Sequence, residues 1–179
     1  MFYECENLTS IPEGLLPATT LAPSCYSRMF QGCSSLTSIP EGLLPATTLS
    51  EKCYEGMFYD CSSLTSIPEG LLPATTLADS CYLFMFAKTS LTSIPERLLP
   101  ATTLSDSCYL FMFAQTSLTS IPERLLPVTT LAERCYESMF EGCSSLTSIP
   151  EGLLPATTLT ANCYSNMFEI GRASCRERV

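Results

Sequence analysis

Histidine is absent from this chain. Its absence removes the commonest general base and the commonest zinc ligand together. No catalytic residue, metal ligand or cofactor is therefore assigned, and the expectation is a protein that is not an enzyme. Basic residues are scarce too. Nine Lys and Arg stand against eighteen Asp and Glu, a formal charge of -9, and the nine form no run. Nucleic acid, whose phosphates need basic partners, is not an expected ligand. Only 15% of residues are charged although 46% are hydrophobic. Thr, Ser and Pro interrupt the apolar residues throughout, and no run approaches the length of a membrane span. No signal peptide is visible, which says nothing about export, because Met1 is itself an internal repeat position.

What the chain does contain is one phrase said six times. Leu-Thr-Ser-Ile-Pro-Glu begins at Leu8, Leu36, Leu64, Leu91, Leu118 and Leu146. The pair Cys-Tyr keeps the same beat at Cys25, Cys53, Cys81, Cys108, Cys135 and Cys163. A fixed period of 27 or 28 residues means one supersecondary unit stacked on copies of itself. The solenoid so defined covers residues 1–168, about six repeats, and reads as a fragment cut at both ends. From Glu169 the chain runs Glu-Ile-Gly-Arg-Ala-Ser-Cys-Arg-Glu-Arg-Val, unlike anything before it. That string resembles a translated sequencing adapter, so residues 169–179 are set apart as a non-native tail.

Within a unit, Leu36-Thr37-Ser38-Ile39-Pro40 suits a strand of about four residues, with Pro40 at its end. Glu41-Gly42 turns the chain, glycine supplying a positive φ if the corner needs one. Leu49, Cys53, Met57 and Cys61 follow at i, i+4, i+8 and i+12, which predicts a two-turn helix or a 3₁₀ turn with one apolar face. Thr48 or Ser50 would cap it, and Glu51, Asp79, Asp106 and Glu133 would sit in the favourable field of its first turn. The expected fold is thus an α/β solenoid, with one short parallel strand and one short helix or 3₁₀ turn per repeat.

The phrase Gly32-Cys33-Ser34-Ser35-Leu36-Thr37-Ser38-Ile39-Pro40, its copy at 142–150, and the linked pattern Cys53-Tyr54, Met57-Phe58, Cys61 resemble the BspA-type leucine-rich repeats. The common form of that repeat is shorter, so the extra Leu-Leu-Pro-Ala-Thr-Thr segment marks a longer-period subtype. The resemblance implies a leucine-rich-repeat fold, a cell-surface or secreted location, and adhesion to host matrix proteins or other cells.

Four rows of side chains invite assignment. Glu13, Glu41, Glu69, Glu96, Glu123 and Glu151 form a carboxylate ladder, which solvation accounts for better than a row of calcium sites. With Thr37, Thr65, Thr92 and Thr119 it is the candidate ligand-facing ladder. The Thr-Thr pairs, Thr19-Thr20 to Thr157-Thr158, are expected to point to opposite sides of an extended chain, which argues against an ice-binding array. Tyr54 and Phe58 and their copies read as core rather than as a sugar-stacking surface.

Cys25/Cys33, Cys53/Cys61 and Cys135/Cys143 are each eight apart. Bridges that mattered would lose both partners together, yet Cys81 and Cys108 persist where Thr89 and Thr116 replace the second cysteine; buried thiols fit better. A nearly uniform face suits a repetitive ligand, a matrix protein or glycan, with a structural spacer as the alternative. Uncapped ends would favour self-association.

Overall fold

The computed structural model describes residues 1–169. Backbone hydrogen bonds and ring contacts join each residue to its counterpart 26–28 positions on, so the chain is a stack of coils as the repeat requires. The contents of each coil are not those expected. Among the described residues there is no helix, and the β pairing consists of three isolated parallel bridges, Thr20–Thr48, Thr48–Thr76 and Thr76–Thr103. The strand-and-helix α/β solenoid is therefore wrong, and with it the leucine-rich-repeat architecture that the resemblance implied.

In place of the helix stands a chain of β-turns. In the third unit the amides of Cys53, Met57 and Cys61 bond back to the carbonyls of Ser50, Tyr54 and Phe58, at 3.2, 3.2 and 3.3 Å. The third residue of each turn, Lys52, Gly56 and Asp60, lies in the left-handed region at φ 54, 55 and 60°. That is the signature of a type II turn. In the second unit Pro23 fills the position where proline's fixed φ suits such a turn.

The apolar period explains the outcome. Inward residues recur every four positions without drift. An α-helix advances about 100° per residue, so three steps of four would swing the last residue about 120° off the apolar face. A turn that closes every four residues keeps Cys53-Tyr54, Met57-Phe58 and Cys61 all pointing in, and all five are essentially fully buried. The two proposed helix caps take other work. Thr48 sits in the parallel bridges, and Ser50 Oγ donates to the Leu21 carbonyl of the preceding coil at 2.6 Å, as its counterpart Thr160 does to Ala132 at 2.7 Å.

The predicted strand fails for a similar reason. A strand alternates with period two, but Leu36 and Ile39 are buried while Thr37 and Ser38 between them are both exposed. The period there is three, nearer a polyproline-type extended segment. The coils still touch along it, through bonds such as Thr119 N–H to the Thr92 carbonyl at 3.2 Å.

Two devices hold the stack together. The first is a set of peptide columns along the turn wall. Ser24 N–H bonds Glu51 O, Lys52 N–H bonds Asp79 O, Ser80 N–H bonds Asp106 O, Ser107 N–H bonds Glu133 O and Arg134 N–H bonds Ala161 O, all at 2.9–3.0 Å. Four parallel columns start at the amides of Phe2, Glu4, Tyr26 and Arg28. Peptides aligned head to tail add their dipoles, as in a helix.

The second device is the stacked core. Phe2, Phe30, Phe58, Phe86, Phe113, Phe140 and Phe168 form one column of near-parallel rings 5.4–5.8 Å apart. Tyr26 to Tyr164 form a second at 5.7–6.0 Å. Each offset pair contributes about 0.5–1.5 kcal/mol beyond its burial. The core reading of Tyr54 and Phe58 holds.

Glu169, which the sequence reading placed in the tail, continues the stack: its carbonyl accepts the Gly142 amide at 2.8 Å. The rest of that segment, 170–179, lies outside the described residues.

Candidate functional site

The corner after Pro40 carries the predicted carboxylates outward. Glu13, Glu41, Glu69, Glu96, Glu123 and Glu151 are all exposed, one per coil. Thr37, Thr65, Thr92 and Thr119 are exposed four residues before Glu41, Glu69, Glu96 and Glu123, so both rows lie on the same stretch of each coil. Some threonine hydroxyls are already used between coils: Thr37 donates to the Thr9 carbonyl at 3.4 Å, and Thr119 to that of Thr92 at 3.3 Å. Among the described residues no ion pair includes a carboxylate of this row, and no cluster of three or more potential ligands gathers to hold a metal.

Glycine sets the corner where it occurs. Gly14, Gly42, Gly70 and Gly152 take φ of 65–72° with open space around them. Arg97 and Arg124 replace this glycine in two units without a positive φ. The turn there is closed by Leu98 N–H to Pro95 O and Leu125 N–H to Pro122 O, both 3.2 Å, the same bond that Leu153 N–H makes to Pro150 O at 3.4 Å in the Gly152 unit. Type I and type II turns differ by a flip of the central peptide, and that flip admits the arginine. Glu96, Arg97, Glu123 and Arg124 then line one cleft of 880 Å³ with Pro100 and Pro127. Two of the predicted glutamates are thus brought together, each beside an arginine.

The Thr-Thr pairs are not as expected. Both members are exposed in every copy, Thr75 and Thr76 for example, because the same three-residue period holds between Ala74 and Leu77. The bridges run through the second threonine of the pair.

The ten described cysteines are free thiols, eight of them buried. Burial pushes Cys53 and Cys135 up to about 11, and Cys61 and Cys108 up to about 12. This is the reverse of what an attacking thiolate needs. The second cysteine column has a structural task. Cys61 Sγ contacts the Phe30 carbonyl at 3.1 Å, while the Cys61 amide closes the last turn onto Phe58. In the units one residue shorter, Thr89 Oγ1 donates to Phe86 O at 2.8 Å and Thr116 Oγ1 to Phe113 O at 2.9 Å. The hydroxyl thus binds the carbonyl that the residue's own amide binds in longer units. The deletion and the cysteine-to-threonine change occur together in both short units, a coupling the sequence displays but periodicity alone does not explain.

The turn wall carries an apolar patch to which the sequence reading gave no role. Its outward pairs vary from unit to unit, and Leu83-Phe84 and Leu110-Phe111 put apolar side chains there, with Phe84 and Phe111 only half-buried. The two rings stack at 4.7 Å and 9°. Both residues hold φ near 55°, a conformation that aromatic residues rarely adopt. The visible signal was the change of residue class at these two pairs.

No helix among the described residues is long and apolar enough to cross a membrane. The expectation of cell-surface adhesion rested on the leucine-rich-repeat likeness and loses that support with the architecture. Compared with family models, curated proteins and solved structures, the chain has no significant match in any of the three.

Proposed function

We propose that the chain is a non-catalytic binding module whose uniform face engages a repetitive ligand, a matrix protein or a glycan polymer. The observation that carries this reading is the recurrence, coil after coil, of the same exposed set: Thr37, Ser38 and Glu41, then Thr65, Ser66 and Glu69, and onward. A ligand with its own repeat can meet many weak contacts in register, and their combined strength far exceeds any one of them. The absence of histidine and the upward-shifted thiols both weigh against a catalytic role.

A spacer is the second reading. Peptide columns and ring stacks that run the length of the described chain make a stiff rod whose length alone could be its use. Binding to collagen-coated and chitin-coated surfaces separates the two. The binding reading expects retention on at least one surface, lost when Glu41, Glu69 and Glu96 are together changed to Lys. Retention on neither supports the spacer, and retention that ignores the triple change overturns the uniform face as the binding surface.

A further inference from the structure

The third-turn-residue column of the turn wall reads Arg28, Gly56, Phe84, Phe111, Ser138 and Asn166 from coil to coil. Gly56 leaves a gap in a row otherwise filled by side chains. The gap is a cleft of 270 Å³ lined by Arg28, Gln31, Glu55, Gly56, Tyr59 and Phe84. A Cβ at residue 56 would point into it, 3.4 Å from Arg28 Cγ and 4.0 Å from Gln31 Oε1.

We propose that this cleft binds a single neutral pyranose ring. Its wall on the C-terminal side is aromatic and braced: Phe84 stacks on Phe111 at 4.7 Å, and Tyr59 stands at 87° to Phe84 with centroids 6.0 Å apart. Lys88 Nζ lies 5.2 Å from the Tyr59 centroid and helps fix that ring. Its opposite wall is planar and polar. Arg28 Nη2 holds Glu55 Oε1 at 3.0 Å, and the Gln31 amide has no side-chain hydrogen bond among the described residues.

This pairing fits the two sides of a sugar. The C–H face of a pyranose is apolar and packs on an aromatic ring, and its hydroxyls each need a donor or an acceptor. Arg28 keeps unused donors, Glu55 keeps an acceptor oxygen, and Gln31 offers one of each. Charge selects against the other small ligands. The Arg28–Glu55 pair brings no net charge to the cleft, so it gives neither an anion nor a cation an uncompensated partner, and a neutral polyol leaves the pair intact. Volume decides the size. Drug-sized pockets begin at about 300 Å³, so a cleft just under that takes one ring. The site is single, because the rings that would line its next copy fill the column themselves. It does not rest on the uniform face on the other side of the coil, which can fail as a binding surface without affecting it.

Saturation-transfer NMR with methyl β-glucopyranoside, methyl α-mannopyranoside and N-acetylglucosamine at millimolar concentration tests the assignment. The expected result is transfer to the ring C–H protons of at least one probe. It should be lost in Gly56→Asn, which fills the gap, and in Phe84→Asn, which removes the platform. Asn166 already occupies this column at φ 53°, so asparagine is compatible with the backbone. Glu133→Gln, at an exposed position further along the stack and outside both proposed surfaces, should leave the transfer unchanged. No transfer from any of the three probes overturns the proposal. So does transfer that survives in whichever of the two asparagine variants folds, as judged by circular dichroism.

Discussion

Raising the pH should unfold the coil stack by ionising its buried thiols. Cys53, Cys61, Cys108 and Cys135 are all 0% exposed. Desolvation moves them from an ordinary 9.0 to about 11, 12, 12 and 11. Below pH 9 each thiol is neutral in both folded and unfolded chains, and its contribution is fully present. Above pH 9 the unfolded chain releases these protons while the folded chain keeps them, so stability falls until the folded values are reached.

One pH unit of such mismatch is worth about 1.4 kcal/mol per group. Several such thiols acting together are therefore large against the whole stability of an ordinary domain, about 5–15 kcal/mol. Tyr82 and Tyr109, pushed well above 10.0 by their own burial, add to the same slope. A reduced sample titrated upward from neutral pH should therefore lose its circular dichroism between pH 9 and 11. Thiolate and tyrosinate absorbance should appear together with that loss. Thiolate absorbance that rises near pH 9 while the dichroism persists would refute the reasoning, because it would mean that these side chains meet water in the folded state.

Three further outcomes follow from particular contacts. Thr89→Val removes the donor to Phe86 O at constant shape and should cost about 1–3 kcal/mol in urea unfolding. Phe86→Ala opens the ring column between Phe58 and Phe113 and should cost about 3–5 kcal/mol in the same assay. Gly142→Ala should lower the thermal midpoint further than Gly42→Ala. Both positions have positive φ, but only at 142 would the new Cβ meet a neighbour, Gln115 Cγ at 2.9 Å.

The stacking, its period and the list of inward residues were legible because near-identical copies print them repeatedly. The local conformation was not. An i, i+4 spacing such as Leu49, Cys53, Met57, Cys61 is shared by a helix and by a train of four-residue turns, and only the lack of drift over three steps tells them apart. Glycine would have marked the left-handed residues, but most are Ser24, Arg28, Lys52, Phe84 and their like, so that clue was hidden. The buried pair Leu36 and Ile39, with two exposed residues between, was already a period of three that a strand cannot satisfy. At the candidate site, the glutamate and threonine rows are exposed. The Gly56 cleft went unseen because its parts come from three successive coils.

The most direct test of the fold is the partner of one amide. A through-hydrogen-bond scalar coupling measured by NMR from Tyr82 N–H should connect to the carbonyl of Cys108 in the next coil, where the structure has a bond of 3.1 Å. A coupling from Tyr82 to the carbonyl of Ala78, four residues back in its own coil, would mean a helix and would contradict the turn-built stack.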